Sequence, residues 1–325
     1  MEYINVGDIV NNTYILCELI NKSRFSKVFY CYKILNSNKL NYHISYDYDK
    51  KTKYIIKITT RKMESIFYML KLDIDGIINP YDIFIKNDLV YIIFPYISDC
   101  IDLVDYQIYC MDNMKSKTEY YKQILFVLYK ISCIFKNLHN NNIIHTDIKP
   151  DNVLIHKSTG KIYIIDFGDS CVYDTNYDNE FNYRNSQCFG SLEYLPPEML
   201  VKCDKYDDTC KKNNIKPLNI PSTELVSYKM DVYSFGMMII AILFTNSFTT
   251  FPLEFKNILK HFTRNISDDN KINIGKKIIN NNISLKLNEL INNCMYRIPD
   301  KRCDMEYINN TLNDIVNEYI IVSEI

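Results

Sequence analysis

Apolar and polar positions divide the chain into two regimes. In the first third, short runs rich in β-branched and aromatic residues alternate with polar stretches, a pattern typical of strands. The runs that predict strands are Tyr14–Leu19, Phe25–Tyr32, Tyr54–Ile58, Tyr81–Ile85 and Val90–Phe94. Residues 21–24 predict a hairpin, and the polar residues 36–53 predict an exposed loop or an extended hairpin connection.

Helical spacing dominates the rest of the chain. An amphipathic helix that carries Glu64 is predicted by apolar residues at i, i+3, i+4 and i+7, namely Met63, Ile66, Phe67 and Leu70. A long buried helix is predicted by the stripe Ile124, Leu128, Ile131, Phe135 and Leu138. The run Met230–Phe244 predicts a hydrophobic central helix. Strands followed by helices indicate an α+β chain.

Composition and charge narrow the class of protein. The chain has 325 residues, of which 47% are hydrophobic and 24% charged, so it can bury a sizeable core as two lobes of one unit. The net charge of −1 provides no driving force toward nucleic acid or an anionic membrane, and neither is expected as a partner. Local positive charge at residues 50–62 predicts a solvated face rather than a binding patch.

Cysteine usage and apolar runs indicate the compartment. The longest purely apolar stretch, Met237–Phe244, is far shorter than the roughly 20 residues of a membrane span. An early acid and no long apolar core follow Met1, so no secretory signal is expected, and we expect an intracellular protein in cytoplasm, nucleus or virion. Eleven scattered cysteines without a CxxC pair predict reduced thiols, and Cys203 and Cys210 lack the nearby His expected of a metal site.

The segment HTDIKPDN, His145–Asn152, is the most informative part of the sequence. It places a carboxylate at Asp147, an ammonium at Lys149 and an amide at Asn152, and the DFG that begins at Asp166 follows fourteen residues after Asn152. Phosphoryl transfer needs a group that orients a hydroxyl, a cation for the transferring phosphate and two oxygen ligands for magnesium. These residue types therefore predict a phosphoryl-transfer centre.

A hairpin is predicted between Asn152 and Asp166. Apolar residues 153–155 and 162–165 flank the turn-forming residues 158–160. Antiparallel pairing about Thr159 would set Asn152 opposite Asp166, and cross-strand partners lie roughly 5 Å apart. Both side-chain oxygens could then bind one divalent ion, so the spacing predicts a metal clamp.

Further motifs accompany these residues in a fixed order. They are INKSRFSKV (Ile20–Val28), YIIK ending at Lys57, Glu64, HTDIKPDN, DFG, PPE (Pro196–Glu198), MDVYSFG (Met230–Gly236) and PDKR (Pro299–Arg302). In kind and order they resemble the motifs of the eukaryotic-type protein kinase family, and the resemblance covers most of the chain. It implies a bilobal fold, with a small, mainly antiparallel β N-lobe carrying one helix in residues 1–97 and a larger, mainly α-helical C-lobe in residues 98–325.

The resemblance assigns the binding of ATP to the first lobe. Lys57 would hold the α- and β-phosphates and pair with Glu64, for which an ordinary solvated helix residue is the alternative. Pro95 and Ile97 match the hinge that holds adenine through backbone groups; Pro95 lacks an N–H but keeps its carbonyl. Ile55 would tighten the adenine pocket, pack in the strand core, or do both.

The same resemblance assigns the chemistry to the second lobe. Asp147 would orient the acceptor hydroxyl and accept its proton, and Lys149 would stabilise the transferring phosphate. Asn152 and Asp166 would bind Mg²⁺, with Mn²⁺ as a substitute. Lys149 and Ser191, the latter in GSLEY where the family has GTxxY, resemble the serine/threonine branch. Ser191 would hydrogen-bond Asp147 and Lys149 and help to seat an alcohol.

Three charged positions have structural roles by resemblance. Asp231 would brace the backbone of the catalytic loop, since a nearly buried carboxylate without partners is costly. Glu198 and Arg302 would form an ion pair beneath the activation segment. The stretch 201–228, rich in Lys, Asp and Asn, looks like an insertion and predicts a docking surface or merely a loop.

The nucleotide loop departs from the family pattern. Aligned on Phe25 and Val28, the three glycines of GxGxxG are replaced by Asn21, Ser23 and Ser26. Glycines let backbone N–H groups approach the phosphates and supply positive φ at low cost. Asn tolerates left-handed geometry and Ser is small, so we expect the loop to fold over ATP less closely.

Two further departures concern spacing and regulation. Only seven positions separate Lys57 from Glu64, which predicts a helix that has lost its first turns. Thr146 replaces the Arg of HRD, which in the family commonly pairs with a phosphate on the activation segment, so switching by that phosphorylation is not expected. Residues 169–195 would then be ordered by other contacts or by a regulatory partner.

The sequence thus predicts a monomeric serine/threonine protein kinase that uses ATP and Mg²⁺ and acts on a protein substrate. One alternative is a pseudokinase that binds nucleotide or serves as a scaffold, which the glycine-free loop and the short approach to Glu64 favour. Another is a kinase of small molecules or lipids, which would use the same centre. The peptide-binding character of GSLEYLPPE argues against that second alternative.

Overall fold

The computed structural model describes residues 4–23, 25–40, 43–60, 74–173, 191, 193–200, 227–244 and 281–323. The chain forms two compact units, one of Met1–Asp73 and Ile77–Cys100, the other of Ile74–Gly76 and Ile101–Ile325. The boundary between the two lobes was predicted after residue 97, three residues before the observed boundary after Cys100. The predicted helix that carries Glu64 and residues 201–226 of the predicted insertion lie outside the described residues.

A six-stranded antiparallel sheet forms the first unit. Its strands are β1 (Ile9–Val10), β2 (Tyr14–Lys22), β3 (Ser26–Leu40), β4 (His43–Thr59), β5 (Asp82–Lys86) and β6 (Leu89–Pro95). They lie in the order β1-β2-β3-β4-β6-β5. All five predicted strands are present as β2 to β6, several of them longer than predicted, and the short β1 is an addition.

One face of this sheet carries the hydrophobic core of the first unit. Among its buried members are Tyr14, Phe29, Tyr54, Ile56 and Ile58. Because successive side chains of a strand point to opposite faces, Ile55 and Lys57 of β4 project from the other face. The strand thereby separates core packing from the positions assigned to nucleotide binding.

Residues 36–40 and 43–53 of the polar stretch belong to an extended hairpin. Of the two predicted forms, an exposed loop and an extended hairpin connection, the structure has the second. β3 and β4 stay paired as far as Leu40 and His43, whereas β2 pairs with β3 only up to Lys33 and β6 pairs with β4 only from Tyr54. Ladder hydrogen bonds join backbone groups and do not require apolar side chains. A polar composition is therefore compatible with a long strand pair.

The second unit is mainly helical. Its elements are β7 (Cys100–Asp102), which starts at the last residue of the first unit, α1 (Leu103–Asn113), α2 (Lys117–Asn140), β8 (Ile143–Ile144), β9 (Val153–His156), β10 (Ile162–Ile164), β11 (Cys171–Val172), α3 (Pro197–Leu200), α4 (Tyr228–Phe244), α5 (Asn281–Cys294) and α6 (Met305–Ser323). Short 3₁₀ turns occur at Pro150–Asn152 and Pro299–Lys301. β10, β9 and β7 form one small sheet, and β11 pairs with β8 in another.

Two predicted helices are confirmed. At the start of α2, Ser116 accepts a hydrogen bond from the Glu119 N–H (3.1 Å), which caps the helix. The predicted stripe on α2 is buried at Ile124, Leu128, Ile131, Phe135 and Leu138. Every residue of α4 from Met230 to Leu243 is buried, as expected for a helix that is apolar on all sides. Within the described ranges, no helix combines the length and the hydropathy of a membrane span.

The contact predicted between Glu198 and Arg302 is present. The guanidinium donates from Nη1 to Oε1 and from Nη2 to Oε2, both at 2.6 Å, and both side chains are almost fully buried. Arg302 also donates to the carbonyls of Tyr296 (2.7 Å) and Lys229 (3.0 Å). A buried ion pair is tolerated when its remaining donors are satisfied in this way, and removing one partner typically costs about 3–5 kcal/mol.

Gly76 provides a test of packing in the second unit. Its φ is +88°, its carbonyl accepts from the Ile164 N–H (2.8 Å), and a Cβ there would clash with Cδ1 and Cγ1 of Ile134. We expect Gly76→Ala to lower the free energy of unfolding by about 2–4 kcal/mol, from backbone strain and overpacking together. The measurement is urea unfolding followed by circular dichroism.

Gly160→Ala is the matched control for this prediction. Gly160 also has a positive φ (+67°), but nothing lies within 4 Å of the position that a Cβ would take, so only strain of about 1–2 kcal/mol applies. Equal losses in the two variants would contradict the packing contribution at Gly76.

Candidate active site

Three of the predicted catalytic side chains meet at one carboxylate. Asp147 Oδ2 lies 2.9 Å from Lys149 Nζ, and Asn152 Nδ2 donates both to Asp147 Oδ2 (3.0 Å) and to the Asp147 carbonyl (2.8 Å). Asp147 and Asn152 are buried, and Lys149 is partly exposed. The tight spacing of HTDIKPDN thus folds into a cluster rather than an extended segment.

The amide of Asn152 has a chemically determined orientation. A carbonyl and a carboxylate can only accept hydrogen bonds, so the NH₂ group must face Asp147. The side-chain oxygen of Asn152 then points away from Asp147 and remains an acceptor. The 3₁₀ turn Pro150–Asn152 fixes the backbone here, with the Asn152 N–H donating to the Lys149 carbonyl (3.1 Å).

The predicted pairing of Asn152 with Asp166 is wrong by one residue. β9 and β10 pair Val153 with Ile164, and the Ile165 N–H donates to the Asn152 carbonyl (3.0 Å), so Asn152 lies opposite Ile165. The turn causes the shift. Residues 157–160 form a four-residue loop in which the Gly160 N–H donates to the His156 carbonyl (2.8 Å) at positive φ, so the hairpin centre falls between residues 158 and 159.

Asp166 follows directly after this paired position. Its φ of 63° is in the left-handed region, and its side chain is exposed. Its Oδ1 accepts a long hydrogen bond from the Gly168 N–H (3.4 Å). Asp166 lies two residues after the end of β10 and presents its carboxylate at the surface of the unit.

Ser191 connects the activation segment to the cluster. Lys149 Nζ donates to Ser191 Oγ (2.8 Å), and the Ser191 N–H donates to Asp147 Oδ1 (2.9 Å). Both carboxylate oxygens of Asp147 are therefore engaged, one by Ser191 and the other by Lys149 and Asn152. This fixes the direction in which the carboxylate faces.

Asp231 braces the loop as the resemblance implied. Its Oδ2 accepts from the His145 N–H and its Oδ1 from the Thr146 N–H, both at 2.8 Å, and His139 Nε2 lies 2.9 Å from Oδ2. The carboxylate has no exposed surface. It is placed there because Asp231 lies in the first turn of the buried helix α4.

Sequence reasoning gave no role to His145, which joins the loop to the residues before Asp166. Its Nδ1 accepts from the Asp147 N–H (3.3 Å), so Nε2 carries the hydrogen and donates to the Ile165 carbonyl (3.0 Å). The ring packs edge-on against Phe167 at 4.8 Å and Phe135 at 5.7 Å between centroids. The only signal in the sequence was its place at the start of HTDIKPDN.

Two titratable groups near the site, the Cys171 thiol and the Tyr194 phenol, have a raised pKa. Burial, assisted by the charge of Asp231, raises the pKa of the Cys171 thiol to about 12. Burial and the nearby acids Asp151, Glu193 and Asp147 raise the pKa of Tyr194 as well. The eight cysteines within the described ranges are all free, and a thiolate at Cys171 is disfavoured by its raised pKa.

Asn152 and Asp166 suit a magnesium ion. Mg²⁺ prefers oxygen ligands and is usually held by one or two protein oxygens together with substrate phosphates. An amide oxygen directed away from Asp147 and an exposed carboxylate match that donor set. The parts of the chain that the structure describes contain no cluster of three His, Cys, Asp or Glu residues that would form a protein-only metal cage.

In the first unit, Lys57 lies at the centre of the sheet. It is partly buried on β4, with Val28 of β3 and Ile92 of β6 as its cross-strand neighbours. Ile55, two residues earlier, is flanked by Tyr30 and by Phe94. These neighbours make the face around Lys57 and Ile55 mostly apolar, as a surface that receives a planar base requires.

The nucleotide loop is closed by one of its own hydroxyls. Ser23 Oγ accepts from the N–H groups of Phe25 (3.3 Å) and Ser26 (3.0 Å), and lies 2.9 Å from Ser26 Oγ. The Ser23 N–H donates to the Ser26 carbonyl (2.8 Å), which completes the turn. Backbone N–H groups that could meet a phosphate therefore already have an oxygen acceptor.

The three substituted positions of this loop do not use the positive φ that glycine supplies at low cost. None of Asn21, Ser23 and Ser26 is among the described residues with positive φ. Asn21 lies in β2 opposite Val28, next to an irregularity in the ladder. Asn21 therefore does not use the left-handed geometry that an Asn tolerates.

The hinge positions are compatible with proline. Pro95 lies opposite Tyr54, and the Tyr96 N–H donates to the Lys53 carbonyl (3.3 Å), so Pro95 occupies a position without ladder hydrogen bonds to β4. Its missing N–H costs no bond in that ladder. Ile97 follows β6 and is partly buried.

Comparison with known proteins agrees with this arrangement. The family model described as protein kinase domain matches residues 14–312. A putative serine/threonine-protein kinase of Acanthamoeba polyphaga mimivirus is 31% identical over 196 residues, which are 56% of this chain and 67% of that protein.

Two similar relatives come from yeasts. The serine/threonine-protein kinase HAL5 of Candida glabrata is 25% identical over 176 residues, which are 53% of this chain and 19% of that protein. An Aurora kinase of Yarrowia lipolytica is 36% identical over 125 residues, which are 38% of this chain and 29% of that protein. The aligned regions thus span well under half the length of these two relatives.

The family model extends from β2 into α6, and the strand-rich first unit and helical second unit have the architecture predicted from the motifs. The expected bilobal kinase fold is therefore confirmed, and the chain belongs to the protein kinase domain family.

Proposed function

We propose that the protein is an active serine/threonine protein kinase that transfers the γ-phosphate of ATP to a hydroxyl of a protein substrate. The observation that carries the proposal is the network of Asp147, Lys149, Asn152 and Ser191, in which every polar side chain has a partner of complementary chemistry. A fold without catalytic use would be free to lose these groups.

Asp147 would act on the acceptor alcohol. Its carboxylate is held in one orientation, so it can accept the hydroxyl hydrogen and later the proton, which is the positioning that phosphoryl transfer requires. Lys149 Nζ, held between Asp147 and Ser191, would place a positive charge beside the transferring group. Ser191 would help to orient a serine or threonine.

Asn152 and Asp166 would hold magnesium, which when bound neutralises charge on the phosphates. In the first unit, Lys57 would bind the α- and β-phosphates, and the backbone groups of Pro95 and Ile97 would bind adenine; both assignments follow from the family resemblance. The role of Glu64 as partner of Lys57 stays a prediction.

A pseudokinase is the second candidate, and the Ser23 hydrogen bonds favour it. An internal hydroxyl bound to the N–H groups of Phe25 and Ser26 competes with a phosphate for the same donors. This competition weakens nucleotide binding but removes no charged catalytic group, so we rank the active kinase first.

The catalytic proposal is tested by transfer of labelled phosphate from Mg·ATP to a generic protein substrate. We expect Asp147→Asn to reduce the rate by about 10²–10⁴-fold, because it removes the proton acceptor. Lys57→Met should also abolish most transfer. Asp112→Asn is the control, because it neutralises an exposed carboxylate on α1 outside the site. Phosphoamino acid analysis should show phosphoserine or phosphothreonine.

Two results together would rule out an active kinase. If the wild-type protein transfers no more phosphate than Asp147→Asn, and Mg·ATP does not raise its melting temperature, the protein is not an active kinase. Stabilisation by ATP without transfer would instead support a nucleotide-binding pseudokinase.

Ser23→Ala tests the closed nucleotide loop. Removing the hydroxyl frees the Phe25 and Ser26 N–H groups, and a lost competing hydrogen bond of about 1 kcal/mol corresponds to a roughly fivefold lower Michaelis constant for ATP. Asn21→Gly is the control, and we expect little change because that residue does not use positive φ. A Michaelis constant that stays the same or rises in Ser23→Ala would show that the hydroxyl does not compete with ATP.

A further inference from the structure

Thr146 makes hydrogen bonds to two different segments of the second unit. Its N–H donates to Asp231 Oδ1 (2.8 Å), and its hydroxyl donates to the Asp169 carbonyl (2.9 Å). The residue is buried, and Asp169 lies three residues after Asp166. Thr146 therefore links the braced catalytic loop to the start of the activation segment.

The backbone of Thr146 is strained. Its φ is 68°, a left-handed conformation that costs an L-residue about 1–2 kcal/mol and is rare for a β-branched side chain. Such strain persists only where the surrounding structure compensates for it. Here the compensation is the bond to Asp231 on one side and the bond to Asp169 on the other.

Four connections join residues 142–146 to residues 165–173. The His145 ring donates to the Ile165 carbonyl (3.0 Å), β8 pairs with β11, and the Tyr173 N–H donates to the Asn142 carbonyl (2.6 Å). The Thr146 hydroxyl supplies a connection between the first of these contacts and the strand pair. All four connections use uncharged groups of the chain itself.

We propose that Thr146 is a positioning residue that holds Asp169, and through it the carboxylate of Asp166, without phosphorylation of the activation segment. This proposal rests on the proposed kinase function for its effect on rate. The effect on structure does not depend on that function. The hydroxyl acts on a carbonyl, so a charged switch is not needed at this position.

Hydrogen exchange measured by mass spectrometry tests the structural part in a protein of any activity. Thr146→Val keeps the branched shape and removes the hydroxyl, whereas Thr146→Ser keeps the hydroxyl. We expect Thr146→Val to speed amide exchange in residues 165–173 by about threefold to tenfold, the equivalent of one neutral hydrogen bond, with α2 as an internal reference. Thr146→Ser should resemble wild type. If residues 165–173 of Thr146→Val exchange at the same rate as in the wild-type protein, the proposal is overturned.

Kinetics test the link to Asp166. In Thr146→Val, the Mg²⁺ concentration that gives half of the maximal rate should rise by about threefold to tenfold, and Thr146→Ser should restore it. A change in the Michaelis constant for the protein substrate alone would overturn the link, because it would place the effect on acceptor binding. Treatment of wild type with a phosphatase should leave the rate unchanged, and a loss of rate would also overturn the proposal.

The two proposals fail in distinguishable ways. A wild-type protein without phosphate transfer disproves the active kinase, but faster exchange in Thr146→Val would still establish the connection to Asp169. Normal transfer together with unchanged exchange in Thr146→Val would disprove the positioning role alone.

Discussion

Asp231 holds together the segments on which the candidate site depends. Its carboxylate has no exposed surface and binds two consecutive backbone N–H groups, at His145 and Thr146, as well as the ring of His139 at the end of α2. A buried carboxylate is costly without such donors, so these hydrogen bonds favour the observed conformation of the loop. Asp147 follows directly, and its position is a consequence of that constraint.

The cluster around Asp147 and the nucleotide loop satisfy their polar groups in different ways. Asp147 and Asp231 accept hydrogen bonds from separate segments of the second unit, so long-range contacts fix this cluster. In the first unit, Ser23 satisfies the amides of its own turn within three residues. The groups around Asp147 are thus positioned by distant parts of the chain, whereas the nucleotide loop is held by its own hydrogen bonds.

Much of the fold was predictable because apolar periodicity is a strong signal. β2 to β6, the buried stripe of α2 and the apolar α4 were all evident in the sequence. The site residues were identifiable from motif spacing, and the structure brings Asp147, Lys149, Asn152 and Ser191 together. Register was not predictable to one residue, because the conformation of the turn at 157–160 decides which residue faces Asn152.

Hydrogen bonds that depend on side-chain rotamers also could not be predicted from the sequence. Ser23 was recognisable as a missing glycine, but its hydroxyl acts as an acceptor for the turn only because the chain folds back within three residues. Thr146 was recognisable as a missing arginine, yet its bond to the Asp169 carbonyl requires a left-handed backbone that no pattern of apolar positions encodes. Such contacts belong to local geometry rather than to periodicity.

The amide of Asn152 also bears on how the protein ages. Spontaneous deamidation would replace a group that donates twice to Asp147 with a carboxylate that repels it, although the shape would hardly change. That reaction requires the backbone nitrogen of the next residue to attack the side-chain carbon. In this chain the Val153 N–H is bonded to the Pro150 carbonyl within the 3₁₀ turn, and Val153 is itself β-branched and buried. The turn that orients the amide thereby also slows its chemical decay.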